Sequence, residues 1–240
     1  MKKLLPIIIL VVGVLVLAGV FYVIKGKKGA SPSDEEGLLE LPIEKRPVVS
    51  LIPASDGHYL KLKVDKISID AKTLEYMLNY DVPNGVPQGV PGTVELNGVK
   101  SYENDLLLGS ESSGKFRYDE GVENGSITLR FRNGEGKLLA KLTTGFHLQS
   151  NTDNLTSTDG MFSYKLQEPI NAYFVTLNTL GYPGDVDFAL NIGPYGIFSS
   201  TDEEIVGEII MDSNTLYYYD DDWVKLEDHK SKNIGIFASD

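Results

Sequence analysis

Ile127-Thr-Leu-Arg-Phe-Arg-Asn-Gly-Glu-Gly-Lys-Leu-Leu-Ala-Lys-Leu142 is the stretch that decides the fold class. Ile127, Leu129 and Phe131 alternate with polar residues. Leu138, Ala140 and Leu142 do the same after Asn133-Gly134-Glu135-Gly136. Period two puts each apolar set on one face of a strand. Asn-Gly supplies the backbone freedom that a tight hairpin turn needs. The stretch reads as a β-hairpin with one buried face, and Phe146 and Leu148 extend it.

The same period runs outward in both directions. Upstream, Leu60, Leu62 and Val64 share one face, and Ile67 and Ile69 continue on the opposite parity, which predicts a β-bulge near Asp65–Lys66. Leu74, Tyr76, Leu78 and Tyr80 alternate again. Three prolines within residues 82–92 forbid a central strand and predict a loop or an edge. Downstream, Phe162/Tyr164/Leu166, Tyr173/Val175/Leu177 and Val186/Phe188/Leu190 alternate. Ile205–Met211, Leu216–Tyr219, Trp223–Leu226 and Ile234–Phe237 complete the set. No stretch of the body keeps a helical period over three turns. The expectation is an all-β body of β-sandwiches.

Residues 149–160, QSNTDNLTSTDG, are polar and aperiodic, which predicts a boundary. Charge changes across it. Residues 48–150 carry 13 acidic and 11 basic side chains; residues 151–240 carry 16 and 4, and no arginine follows Arg132. Two domains are expected, 48–150 and an acidic, β-rich 151–240.

Ahead of the body stands an apolar run, Leu4 to Ile24, of 21 residues without a charge. As a helix it is roughly 31 Å long, the thickness of a bilayer's hydrocarbon core. Lys2 and Lys3 precede it; Lys25, Lys27 and Lys28 follow it. The run exceeds the apolar core of a signal peptide and lacks a clean small-x-small cleavage site after it. It therefore reads as an uncleaved single-pass membrane anchor with its basic head cytoplasmic and the body extracytoplasmic. Residues 1–28 are head and anchor, and 29–47 a flexible Gly/Ser/Pro/charge linker, within which Leu38, Leu39 and Leu41 are candidates for a short edge strand. The lipid bilayer is the expected partner of residues 4–24.

Composition excludes several functions. The chain has no cysteine, so disulfides, thiol nucleophiles and Cys-ligated metals are out. Its net charge is −12 although residues 1–30 hold five lysines and no acid. Such a body repels nucleic acid. Gly109–Lys115 matches the start of a phosphate-binding loop, but Phe116 stands where Ser or Thr must hold magnesium. A polar β-turn is the better reading. His58, His147 and His229 share no ligand spacing, and no nucleophile motif occurs. Asn124-Gly-Ser and Asn154-Leu-Thr match the N-glycosylation acceptor.

From Val48 to Leu148 the strand spacing and the Leu74–Tyr80 motif resemble the immunoglobulin-like sandwiches of membrane-anchored bacterial envelope proteins. The Cys and Trp that mark true immunoglobulin domains are missing. The resemblance implies an extracytoplasmic binding or spacer module and assigns no catalytic residue.

One stretch stands out for ligand contact, Leu216-Tyr-Tyr-Tyr-Asp-Asp-Asp-Trp-Val-Lys-Leu226. As a hairpin, it turns Leu216 and Tyr218 to one face and Tyr217 and Tyr219 to the other, with Trp223 on the return strand. Aromatics beside carboxylates suit a glycan, because a flat ring stacks on a sugar while an acid bonds its hydroxyls. Tyr217, Tyr219, Trp223, Asp220 and Asp222 are the expected contacts; the alternative makes Trp223 core. Asp220–Asp222 also offer hard oxygen ligands for calcium, although no EF-hand spacing is present. No other cofactor is expected. Three functions remain: a binding or adhesion module of the cell envelope whose partner is an envelope protein or glycan, a structural subunit of an envelope assembly, and an envelope-polymer hydrolase. The last needs paired acids in a cleft.

Overall fold

The hairpin around Asn133-Gly134 forms with the expected parity. Ile127 lies opposite Thr144, Leu129 opposite Leu142 and Phe131 opposite Ala140. Asn133 organises the turn, its side-chain oxygen accepting the N–H groups of Glu135 at 3.0 Å and Lys137 at 2.9 Å. The computed structural model describes residues 38–240 except 39 and 84. The anchor expected over 4–24, its basic flanks and the linker up to residue 37 lie outside the described residues. Among the described residues no helix is long and apolar enough to cross a membrane.

The body is all-β. Its strands are β1 (Val48–Pro53), β2 (Tyr59–Asp65), β3 (Thr73–Tyr80), β4 (Gln88–Glu95), β5 (Tyr102–Leu107), β6 (Gly109–Ser112), β7 (Lys115–Tyr118), β8 (Asn124–Arg132) and β9 (Leu138–Ser150). They continue with β10 (Asn154–Thr156), β11 (Ser163–Leu166), β12 (Tyr173–Asn178), β13 (Ile192–Ser199), β14 (Gly207–Ile210), β15 (Leu216–Asp220), β16 (Asp222–Lys225), β17 (Lys230–Ser231) and β18 (Ile236–Ser239). One nine-stranded sheet, in the order β16-β15-β18-β13-β12-β9-β8-β3-β4, runs through the body. A three-stranded sheet, β1-β2-β5, and a four-stranded sheet, β10-β11-β14-β17, pack on it; β6 and β7 form a separate ribbon.

The two smaller sheets build two cores. Leu51, Leu60, Leu62 and Val64 of the three-stranded sheet meet Leu74, Leu78, Leu129, Phe131 and Leu148 of the long sheet. Leu155, Tyr164 and Ile209 of the four-stranded sheet meet Phe174, Tyr195, Ile197 and Phe237. Strand β12 serves both. Val175 and Leu177 belong to the first core and Phe174 to the second. Successive side chains of a strand point to opposite faces, so the small sheets cover opposite faces of the long one. A strand buried on both faces reads as a continuous apolar run, and Phe174-Val175-Thr176-Leu177 is one, with Thr176 fully buried. The boundary expected at 150–160 coincides with this change of core rather than with a break in the sheet: Ser150 still pairs with Tyr173 across it. Residues Leu38–Asp240 cluster as one compact unit.

Several local expectations change. The parity step after Val64 is not a bulge: β2 ends at Asp65, and Lys66 turns the chain with φ +57° before Ile67 enters the core. Of the edge strand expected at Leu38, Leu39 and Leu41, Leu39 lies outside the described residues and Leu38 and Leu41 are in no strand; Leu41 packs on the first core ahead of one turn of 3-10 helix (Ile43–Lys45), and Arg46 is bonded to Leu41 O and Glu40. Val186, Phe188 and Leu190 lie in a loop. Pro91 sits on β4, an edge strand, as proline requires.

Candidate functional site

Where the sheets meet, the β1–β2 turn, the link between β7 and β8, the end of β9 and strand β10 enclose a cleft of about 470 Å3. That is a volume suited to a small ligand or part of a larger one. Its floor is held by Gln149, which is 8% exposed. The Gln149 amide donates to Thr156 O at 3.2 Å and to Thr176 Oγ1 at 3.1 Å, and its oxygen accepts the Thr156 N–H at 2.9 Å. The amide thus serves β10 as a neighbouring backbone would, and it pins the corner where the chain leaves the long sheet. His147 Nδ1 lies 2.9 Å from the same carbonyl. The Thr156 hydroxyl lies 3.1 Å from the same nitrogen, so β10 holds the imidazole through both its backbone and its side chain.

Four carboxylates line the cleft: Asp56, Asp119, Glu120 and Glu123. Asp56 accepts the His58 N–H at 2.9 Å. Asp119 accepts the Tyr80 hydroxyl at 2.9 Å. Burial, and then this bond to Asp119, push the Tyr80 phenol well above its usual range. Glu120 and Glu123 have no such partner among the described residues. His58 and His147, 89 positions apart in sequence, line the same cleft. Among the described residues, no group of three or more His, Asp or Glu side chains converges to hold a metal ion.

Of an aromatic strip on the neighbouring ribbon, which no local sequence pattern marks, only His58 lines the cleft. His58 stacks on Tyr118 with ring centroids 4.0 Å apart and planes 11° from parallel. Phe116 continues the series, 6.2 Å from Tyr118 at 10°. Tyr59 braces Tyr118 edge-on at 6.4 Å. Phe116 is 50% exposed and Tyr118 38%. Their ribbon, β6–β7, turns at Ser113 and Gly114, both with positive φ, the geometry of a two-residue hairpin turn. The polar β-turn expected at Gly109–Lys115 is therefore this hairpin.

The expected ligand contacts on β15–β16 do come together. Tyr217 pairs with Lys225 and Tyr219 with Trp223, while Asp220 faces Asp222 across Asp221. Leu216 is in the second core and Tyr218 packs against it, so Tyr217, Tyr219 and Trp223 lie on the opposite face, each half-buried. The loop over 181–190 covers part of that face. Phe188 lies on Tyr217 and meets Trp223 edge-on at 5.6 Å, and the indole N–H donates to Pro183 O at 3.0 Å. Asp222 accepts the N–H of Trp223 at 2.8 Å.

Fold and site together define an all-β sandwich protein with a polar, acid-lined cleft flanked by exposed rings. No protein-family model matches the chain, and no curated protein matches it.

Proposed function

We propose that the protein is a membrane-anchored binding module of the cell envelope. Residues 4–24 hold it in the bilayer with the N-terminus cytoplasmic, and the extracytoplasmic body receives its ligand in the cleft. The observation that carries this reading is the cleft itself, with polar lining from Asp56, Glu123, Ser150 and Asn154 beside exposed rings. The edges of the long sheet speak against lateral assembly by strand pairing. One edge, β4, contains Pro91; the other, β16, has four residues and follows Asp220 and Asp221. Proline, short length and charge all blunt an edge.

The test uses the full-length protein in detergent, incubated with isolated envelope material, beside Ser150→Trp. Ser150 is exposed on β9, so an indole there fills the cleft without entering a core. Retention of the wild type, lost in the variant at an unchanged melting temperature, supports the module. Equal retention of both, or none by either, refutes it. Protease added to intact cells should remove the body; protection until lysis refutes the topology.

The hydrolase reading has one observation in its favour, the carboxylates Glu120 and Glu123 in the cleft, which have no side-chain partner among the described residues. Release of reducing ends from envelope polymer, abolished in Glu123→Gln, would establish it in place of simple binding.

A further inference from the structure

We infer that Tyr118 and Phe116, with His58 packed on one face of Tyr118, form a stacking platform for the sugar rings of a glycan without anionic groups, an inference that rests on the binding reading above and names its ligand class. The rings are nearly parallel, stepping by 4.0 and 6.2 Å, and the outer two are substantially exposed. Single exposed aromatics are ordinary on protein surfaces. Two exposed rings in series, joined to a polar cleft through His58, are a different matter, because an aromatic face accepts the C–H face of a sugar while groups beside it take the hydroxyls. Here those groups are Asp56, Ser150 and Asn154.

The platform is held before any ligand arrives. Leu108 N–H donates to His58 O at 2.8 Å, which ties the start of the β6–β7 ribbon to the β1–β2 turn, and Asp119 N–H donates to Leu108 O at 3.0 Å, which closes the base of the ribbon. Tyr59 fixes Tyr118 from the side. Preorganised rings bind without the cost of ordering side chains. The aromatics of β15–β16 are less available, since Tyr217, Tyr219 and Trp223 are each half-buried, whereas Phe116 and Tyr118 are exposed.

Charge selects the class of glycan. Among the described residues, the cleft lining has four carboxylates and neither Lys nor Arg. Lys115 and Arg117 alternate with Phe116 and Tyr118 along β7, which puts them on the ribbon's other face. Uronate chains, phosphate-bearing polymers and nucleic acids meet repulsion there. Uncharged chains do not, and amine-bearing chains are attracted.

The experiment titrates full-length protein in detergent with cellohexaose, a glucosamine hexamer and polygalacturonate by calorimetry. Both hexamers should bind, the glucosamine hexamer more tightly at low salt, and polygalacturonate should not. Phe116→Ala and Tyr118→Ala should each weaken binding about tenfold at an unchanged melting temperature, and Tyr118→Phe should retain it. If Tyr118→Ala fails to fold, Phe116→Ala and Tyr118→Phe still decide. The platform is refuted if neither hexamer binds, or if the alanine variants bind as the wild type does. It is also refuted if spermine displaces the glucosamine hexamer while cellohexaose does not bind, which would make the site a cation trap. Envelope retention that survives Phe116→Ala and Tyr118→Ala but is lost in Ser150→Trp would remove this inference and leave the binding module standing.

Discussion

Phe188 lies flat on Tyr217, ring centroids 3.7 Å apart and planes 1° from parallel, and so joins a loop of no regular structure to the outer hairpin of the long sheet. Together with the Trp223-to-Pro183 hydrogen bond, it holds residues 183–188 over the aromatic face. An aromatic pair contributes about 0.5–1.5 kcal/mol beyond the area it buries. Phe188→Ala should therefore cost about 1–2 kcal/mol in denaturant unfolding. Trp223→Phe, which keeps a ring and loses the donor, should cost about 1 kcal/mol. The same series decides the role of Tyr217, Tyr219 and Trp223. Tyr219→Ala and Trp223→Ala that lose glycan retention with unchanged melts make this hairpin a binding face. Lower melts with intact retention make it a support for the loop.

Asp159 supplies a pH dependence. Burial acts to raise its pKa, but hydrogen bonds from Ser157 and Tyr195 and from the Met161 N–H at 3.0 Å outweigh burial and hold it below the usual carboxylate value. A carboxyl depressed in the folded state stabilises the fold above its unfolded pKa, about 3.9. That contribution disappears as pH falls through the lower, folded value. Asp159→Asn should thus be less stable than the wild type at about pH 7, with the gap closing below about pH 4. Urea unfolding at both pH values measures it; a gap that stays constant or widens in acid would show that the carboxylate's charge contributes nothing.

Much of the fold was legible in period two alone, because strands with one solvated face advertise that face in the sequence. Leu60/Leu62/Val64, Leu74/Leu78 and Ile127/Leu129/Phe131 all entered the core so marked. Strands without a solvated face were harder. In β12, alternate reading found Val175 and Leu177 but missed Phe174, which serves the second core. Strand β13 is absent from the expected set; its register shifts between Ile192 and Tyr195, which lets an interior strand accommodate Pro194. The alternation of Val186, Phe188 and Leu190 marked a strand that does not exist, since a loop packing one ring on a hairpin can mimic period two. The cleft and the strip beside it were invisible for a different reason. His58, Tyr118, His147 and Asn154 come from four separate segments, and no local pattern records that a ribbon such as β6–β7 folds back onto the β1–β2 turn.

Gly109 begins that ribbon, with φ +153° and a backbone packed so closely that a Cβ would stand 2.2 Å from Arg117 O. Neither condition suits an L side chain, and the atom in the way is backbone, which cannot swing aside. Gly109→Ala must therefore displace β6 from β7, and Tyr118, the register partner of Gly109, moves with it. The two cores do not include the ribbon, so the body should remain folded at a loss of about 1–3 kcal/mol, the usual scale of local backbone strain. What should change is the stack of Tyr118 on His58. In proton NMR spectra, the His58 ring signals, shifted by the parallel phenol ring 4.0 Å away, should return toward their free positions in Gly109→Ala. Retention of the hexamers should fall with them, about as far as in Tyr118→Ala. A Gly109→Ala protein whose His58 signals stay shifted would mean that the ribbon is not what positions the strip. One whose signals move while retention holds would separate the stack from binding.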